Sequence, residues 1–400
     1  MNKKIMIISN AFPKRFNVNM GSYVLDQANA LAEQGCDITV VSPIPFFPKV
    51  VGNFIKKKNI DNYSKLKNIY EYQGISVYAP KTYMYGRLFR KNPNLEYWLY
   101  KGTVLKTIEE LVCTQKFDLI YAVGIMLEGR LAKEISEKYR IPYVVVEHSD
   151  TNVNECCLDT RKKKIYSLVC DSAKKIFFVS SKSKCNFERK FGVHLNSVSL
   201  INGFKSENTH GYVRENDGVL HIVAVGFLEE RKGWKNLLSV IKDIYEDFGA
   251  CVELSIIGKG PMKDEIVLYI NENKLERVIK FIGPVSHHEV LKRMAEANLF
   301  ILWSQNEPFG IVYLEAMSVG TPVIGTTNEG ISEIITNGKN GWLIDYGAIS
   351  DMEKLLADIL AGRYNLADIG LKAKKTALSY TWEANAANWL RCIFDEDGSE

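Results

Sequence analysis

Ser304-Gln-Asn-Glu-Pro-Phe-Gly-Ile-Val-Tyr-Leu-Glu-Ala-Met-Ser-Val-Gly-Thr-Pro-Val-Ile-Gly325 is the stretch whose reading decides the fold. The apolar run before and into it, Leu299 to Trp303, predicts a buried strand, and Glu307-Pro308 closes the turn that follows. Phe309 to Val319 carries apolar residues at helical spacing, and Thr321 to Ile324 returns to strand character. The unit is strand, loop, helix, strand. Pro308 suits a helix start, where a missing N–H costs least, and Gly310 lets a ligand approach the first turn. Phe309, Gly310 and Ile311 then offer unpaired N–H groups and the positive end of the helix dipole, which suits a phosphate. Glu315 lies eight positions after Glu307, just over two helical turns, so both carboxylates can border one crevice. Taken without its flanks, the same spacing describes two ordinary solvated glutamates.

Working outward, 400 residues exceed what one hydrophobic core organises, so two domains are expected. Hydrophobic (46%) and charged (24%) fractions are those of a globular protein. No apolar run approaches the ~18–20 residues that cross a bilayer. Met1 to Ser9 has too short an apolar part for a signal peptide and reads as a first strand, which places the chain in the cytoplasm. Eight cysteines show neither CxxC spacing nor pairing with histidines, so reduced thiols are expected and no metal site is visible. Residues 1–205 hold 32 Lys+Arg against 18 Asp+Glu, a net +14, which leaves −10 for residues 206–400. Clusters at Lys56 to Lys58, Arg87 to Lys91 and Arg161 to Lys164, with Phe46, Phe47, Phe54, Tyr83, Tyr85, Leu88 and Phe89 nearby, predict peripheral attachment to an anionic membrane surface. Solvated loops are the competing reading. Nucleic acid is not an expected partner, since no recognition module is present.

In chain order, Lys4 to Ser9 is a strand, Gly21 to Gly35 a helix burying Val24, Ala28 and Leu31, and Asp37 to Ser42 a strand. The long loop between first strand and first helix is a candidate substrate loop, with Gly21 at its end. Residues 43–68 read as an irregular insertion, Ile75 to Ala79 as a strand and Leu95 to Cys113 as a helix. Asp118 to Ala122 and Pro142 to Glu147 are continuous apolar strands, as a parallel sheet covered on both faces requires. His148 follows the last of these, where parallel sheets place ligands, and Asp150 beside it can contact such a ligand or simply cap a helix. Ile176 to Ser181, a helix after it and Val198 to Gly203 come next, and Lys205 to Gly218 reads as a linker. The second sheet starts at Leu220 to Gly226. Arg231 and Lys232 then stand ahead of a helix from Trp234, an apt diphosphate clamp because negative charge grows on a leaving phosphate. This segment is no P-loop, having Arg231 for the second Gly and Gly233 for Ser/Thr. Gly258-Lys-Gly-Pro261 after Cys251 to Ile257 is a tight strand-to-helix turn, and Ser286 caps a helix opened by His287-His288. Trp382, Ala386, Trp389 and Ile393 form one helical stripe.

The Glu-x7-Glu element with Pro-Phe-Gly after its first Glu resembles the signature of retaining glycosyltransferases of family 4, which have the GT-B fold. The resemblance extends to the Asn202-Gly203 turn, Lys232-Gly233, the Gly330-x-x-Glu333 turn and the strand after it. It implies an α/β chain of two facing Rossmann-like domains: residues 1–205, joined by a terminal helix at 382–400, for the acceptor, and 206–381 for the nucleotide sugar. It implies Glu307 at the donor sugar, Glu315 on the ribose, His148 near the sugar, and donor contacts from Gly21, Gly226, Gly258, Pro308, Phe309, Gly310 and Ile311. The family's usual Arg is Phe227 here, so Arg231 supplies that charge beside Lys232. The implied reaction moves a sugar from a UDP- or GDP-sugar to a saccharide or polyprenyl-diphosphate-linked acceptor, in cell-surface polysaccharide synthesis, without a metal or other cofactor. The alternatives are a nucleotide-sugar epimerase or hydrolase of the same fold, and a non-catalytic membrane-associated binding protein.

Overall fold

Continuous runs of Ile, Val, Leu and Tyr make two parallel sheets, because strands buried on both faces leave no place for a polar alternation. The computed structural model describes residues 2–14, 16–17, 20–46, 66–82, 92–206, 217–249 and 251–395. Contacts divide the chain into two units, Met1–Gly203 with Trp382–Glu400, and Phe204–Thr381.

The first unit runs β1 (Lys4–Ile8), α1 (Ser22–Glu33), β2 (Asp37–Val41), β3 (Ile44–Pro45), β4 (Ile69–Tyr72), β5 (Ile75–Tyr78), β6 (Lys81–Thr82) and α2 (Pro93–Thr114). It continues with β7 (Leu119–Val123), α3 (Arg130–Tyr139), β8 (Tyr143–Glu147), α4 (Asp150–Leu158), α5 (Thr160–Ser172), β9 (Lys175–Phe178), α6 (Ser181–Phe191) and β10 (Ser197–Ser199). Its eight-stranded sheet has the order β10-β9-β8-β7-β1-β2-β5-β4, parallel except where β4 pairs antiparallel with β5. Ile7 of the central strand is opposite Val40 on one side and Tyr121 on the other. Ligands of such sheets bind where the strand order reverses, here between β1 and β7.

The second unit runs β11 (Leu220–Val225), α7 (Trp234–Phe248), β12 (Val252–Ile257), α8 (Lys263–Glu272), β13 (Ile279–Gly283), α9 (His287–Glu296), β14 (Leu299–Ile301), α10 (Ile311–Ser318), β15 (Val323–Thr326), β16 (Gly341–Ile344), α11 (Ile349–Leu360) and α12 (Leu366–Ala377). Its order, β13-β12-β11-β14-β15-β16, is the dinucleotide-fold order, with the reversal between β11 and β14. The core gathers Ile222, Ala224, Leu254, Ile256, Leu299 and Ile301 from the sheet with Trp234, Leu238 and Ile241 from α7.

The terminal helix α13 (Trp382–Phe394) belongs to the first unit. Trp382, Ala386, Trp389 and Ile393 are all buried, and the Trp389 ring lies 5.3 Å from that of Tyr121 and 5.9 Å from that of Phe177. Beside them Tyr121 donates to Gln27 Oε1 (2.6 Å), and Asn385 Nδ2 donates to the Ile201 carbonyl (2.7 Å).

Two sequence expectations change. Residues 43–68 are not irregular throughout, since Ile44–Pro45 pairs with Lys81–Thr82; beyond them the half-exposed Ile69–Tyr72, to which the sequence reading gave no element, forms the sheet edge. The last strand of the first unit is Ser197–Ser199. The helix of the central unit starts at Ile311 rather than at Pro308-Phe309. Gly310, with φ 85°, is its N-cap, a left-handed conformation that ends any helical reading upstream. The clusters at Lys56 to Lys58 and Arg87 to Lys91, with Phe47, Phe54, Tyr83, Tyr85, Leu88 and Phe89, lie outside the described residues.

Candidate active site

In the second unit the site is built at the C-terminal ends of β11 and β14, on either side of the strand-order reversal. After β11 the chain makes a single 3-10 turn, Glu230–Lys232, that carries both cations before α7 begins. After β14 it makes the loop that carries Glu307. These two loops close on each other. Lys232 Nζ is ion-paired with Glu307 Oε2, and the Arg231 guanidinium lies 3.5 Å from the same oxygen. Lys232 and Glu307 side chains are each only 10% exposed, so their charges depend on one another: an unpaired buried ion costs several kcal/mol. Arg231 is 40% exposed and shares its charge with Glu229 at 2.6 Å.

The loop is braced by backbone. Gln305 N–H donates to the Arg231 carbonyl at 2.7 Å, and Arg231 donates to the Asn306 carbonyl at 3.3 Å. Buried Glu329 accepts from Asn306 N–H (2.9 Å) and Glu307 N–H (2.7 Å), one on each oxygen. Gly330 then donates to the Glu307 carbonyl at 3.3 Å. Phe309 is buried, Pro308 stands ahead of the cap, and Ile311 opens α10. The last apolar anchor is Tyr313, whose hydroxyl donates to the Leu302 carbonyl.

Glu315 sits midway along α10, 19% exposed, and His287 Nε2 lies 3.0 Å from its Oε1. Gly226 and Gly258 end β11 and β12 in mutual contact. A Cβ on Gly258 would fall 1.9 Å from the Gly226 carbonyl oxygen, so the close approach of these two turns requires glycine. Gly21, at φ 69°, caps α1, and a Cβ there would fall 2.1 Å from the Ala11 carbonyl oxygen. Its part in the long first loop is therefore to let that loop close over α1.

In the first unit, His148 and Asp150 follow β8 as expected. The His148 ring lies 4.5 Å from that of Tyr23, and its Nδ1 is 3.5 Å from Asn202 Nδ2. Burial lowers His148 to about 4, and its Nε2 is buried with no partner among the described residues. Asp150 is buried, with Lys182 3.7 Å from Oδ2 and no partner for Oδ1 among the described residues. The helix cap here is Ser149, which accepts from Asn152 N–H, so Asp150 is not the cap.

Two carboxyls the sequence reading passed over stand at the same strand ends. Glu147 accepts from Tyr166, Asn152 and Ser149, yet burial still raises its pKa. Glu128, on a π-helical turn at Ile125–Gly129, is raised to about 8, first by burial and then by the Glu147 charge. Tyr23 is raised to about 12 by burial and by both carboxyls. In the first loop, buried Lys14 donates to the Phe12 carbonyl at 3.0 Å, and burial lowers it to about 8. Glu329, His287 and Glu128 were missed because each meets its partner from a neighbouring strand end or helix rather than along the chain. Only the π turn at 125–129 would have marked one of them, and no spacing in the sequence encodes it.

No group of three His, Cys, Asp or Glu among the described residues could hold a metal ion. No helix among them is long and apolar enough to cross a membrane.

Two family models match. Glycosyltransferase Family 4 covers residues 20–204, and Glycosyl transferases group 1 covers residues 206–376. A Bacillus subtilis glycosyltransferase named for teichuronic acid biosynthesis, TuaC, is 28% identical over 85% of this chain and 85% of its own. Among solved structures, sucrose-phosphate synthase from Thermosynechococcus elongatus superposes with a TM-score of 0.76 at 16% identity over all of both chains. Anabaena HepE, solved in complex with UDP, gives 0.70 at 16% identity over 98% of this chain and all of its own. The fold is GT-B, and with both units matched the chain belongs to the group 1 / family 4 glycosyltransferases, a transferase enzyme.

Proposed function

We propose that the protein is a retaining glycosyltransferase that moves a sugar from a nucleotide-diphosphate sugar to a saccharide or lipid-linked saccharide during polysaccharide synthesis. The observation that carries the reading is the convergence of Lys232 and Arg231 on Glu307 beside the start of α10. Two cations held by one carboxylate, Lys232 nearly buried and Arg231 partly exposed, form a site where a diphosphate competes for the same charges. As the acceptor hydroxyl oxygen bonds to the anomeric carbon on the face that the diphosphate leaves, the bond from that carbon to the diphosphate breaks and the hydroxyl proton passes to the departing phosphate oxygen. Negative charge then collects where Lys232, Arg231 and the amides at Phe309 to Ile311 stand. Glu307, released from the lysine, turns to the sugar, while Glu315 holds the ribose. His148 contributes a neutral contact near the donor sugar, and Asp150 a contact on the acceptor side.

HepE's UDP complex supports a nucleotide donor, and the teichuronic acid name of the Bacillus relative supports a cell-surface glycan product. The net +14 of residues 1–205, with Arg161 to Lys164 on the first turn of α5, supports an acceptor presented at an anionic surface from the cytoplasmic side. No cofactor beyond the donor is required by this chemistry. The test is turnover of a panel of UDP- and GDP-sugars with polyprenyl-diphosphate-linked saccharides, followed by NMR of the new glycosidic bond. An α-linked product from an α-donor supports the reading. A β-linked product overturns retention, and donor turnover indifferent to every acceptor points to a hydrolase or epimerase.

A further inference from the structure

We infer that His287 is a positioning residue that orients Glu315 to accept hydrogen bonds from the 2′- and 3′-hydroxyls of the donor's ribose. The inference rests on the proposed reading of Glu315 and adds a residue to it. The chain delivers His287 by construction. β13 ends at Gly283, whose φ of 79° turns the backbone, and three residues later Ser286 caps α9 by accepting from Glu289 N–H at 3.2 Å. His287 is therefore the first residue of a helix packed against α10, with its Nε2 3.0 Å from Glu315 Oε1.

Glu315 is the only charged residue of α10, Ile-Val-Tyr-Leu-Glu-Ala-Met-Ser, and four of its neighbours on that helix, Tyr313, Leu314, Ala316 and Met317, are buried. A glutamate carboxylate on such a helix has a soft terminal torsion. Fixing one oxygen removes that freedom before the ligand arrives, which is how an orienting partner raises affinity without touching the ligand. Stability does not account for the contact. The His287 side chain is 45% exposed, and a pair of that exposure contributes little to folding. The geometry also leaves the right valence. With His287 donating to one lone pair of Oε1, the carboxylate keeps Oε2 and a second Oε1 lone pair for two hydroxyl donors. A ribose diol presents two such donors side by side.

The test is calorimetric titration of the full-length protein with UDP and GDP and with their 2′,3′-dideoxy counterparts. For whichever nucleotide the wild type binds, His287→Ala is expected to weaken the ribonucleotide about tenfold and leave the dideoxy form unchanged. His287→Gln, which can still donate to the carboxylate, should restore most of the loss. In a Glu315→Ala background, His287→Ala should have no further effect. Equal weakening of both nucleotide forms by His287→Ala, or no weakening of either, overturns the inference. If Glu315→Ala leaves ribose discrimination intact, the reading of Glu315 itself fails. If Glu315→Ala abolishes discrimination and His287→Ala does not touch it, only the positioning role fails. A wild type that binds neither nucleotide overturns both.

Discussion

The strand ends of the two units solve opposite electrostatic problems. In the second unit, charge is gathered and matched: Lys232 and Arg231 meet Glu307, and Glu329 pins the loop backbone through two N–H groups. In the first unit, charge is discouraged. Burial takes His148 down to about 4 and Glu128 up to about 8, so both are neutral near pH 7, while Asn10 Oδ1, His148 Nε2 and Asp150 Oδ1 are buried without partners among the described residues. A buried polar lining with unmade hydrogen bonds suits a polyhydroxylated group, and cations converging on one carboxylate suit a phosphate. Bulk charge points the other way: the half carrying that lining is +14, and the half carrying the converging cations is −10. Net charge sets the long-range field around a domain, and a few buried contacts decide what it can hold.

The sharpest way to break the contrast is Lys232→Ala. Removing a preorganised donor at the leaving group should lower kcat by roughly 10²–10³, measured as sugar transfer at saturating donor. An unchanged rate would remove the clamp from the account. Glu329→Ala comes next. It strands the N–H groups of Asn306 and Glu307, which should cost about 1–3 kcal/mol of stability in urea unfolding and about tenfold in kcat. A loss of stability without a loss of kcat would show that the brace does not serve the site. Arg231→Ala should do least among these, about threefold, since Arg231 is 40% exposed and already shared with Glu229.

The neutral side of the contrast is read by pH. Glu128 ionises near 4.5 when exposed and near 8 when folded. Its stabilising effect is therefore complete below 4.5 and is lost as the pH rises toward 8, with a slope of at most about 1.4 kcal/mol per pH unit. His148 ionises near 6.5 when exposed and near 4 when folded, so its effect is complete above 6.5 and is lost as the pH falls toward 4. Thermal unfolding across pH 4–9 should show Glu128→Gln removing a loss of stability on going from pH 4.5 up to 8, plainest above pH 6.5, and His148→Asn removing a loss on going from pH 6.5 down to 4. Profiles superimposable on the wild type would contradict a desolvated first site.

Much of the fold was legible because continuous apolar strands and helical stripes carry their own signal. Tyr143 to Glu147 could only be a buried strand, and Trp382, Ala386, Trp389 and Ile393 only a docked helix face. The edge strand Ile69–Tyr72 was not, because an edge needs no apolar run, and α10 began three residues late because Gly310 chose the left-handed cap. At the site, the sequence singled out Glu307, Arg231 and Lys232, whose side chains the two loops bring together. Glu329, His287 and Glu128 stayed hidden because their roles come from neighbours that only the parallel sheets bring together.

The central claim is that Lys232 leaves Glu307 for the donor's diphosphate. It is tested most directly by titrating wild type and Lys232→Ala with uridine, UDP, guanosine and GDP at fixed ionic strength. The account predicts that the preferred diphosphate binds wild type at least about 100-fold more tightly than its nucleoside, and that Lys232→Ala narrows the gap about tenfold or more while nucleoside affinity holds. A gap of the same size in the variant, or none in the wild type, would contradict it.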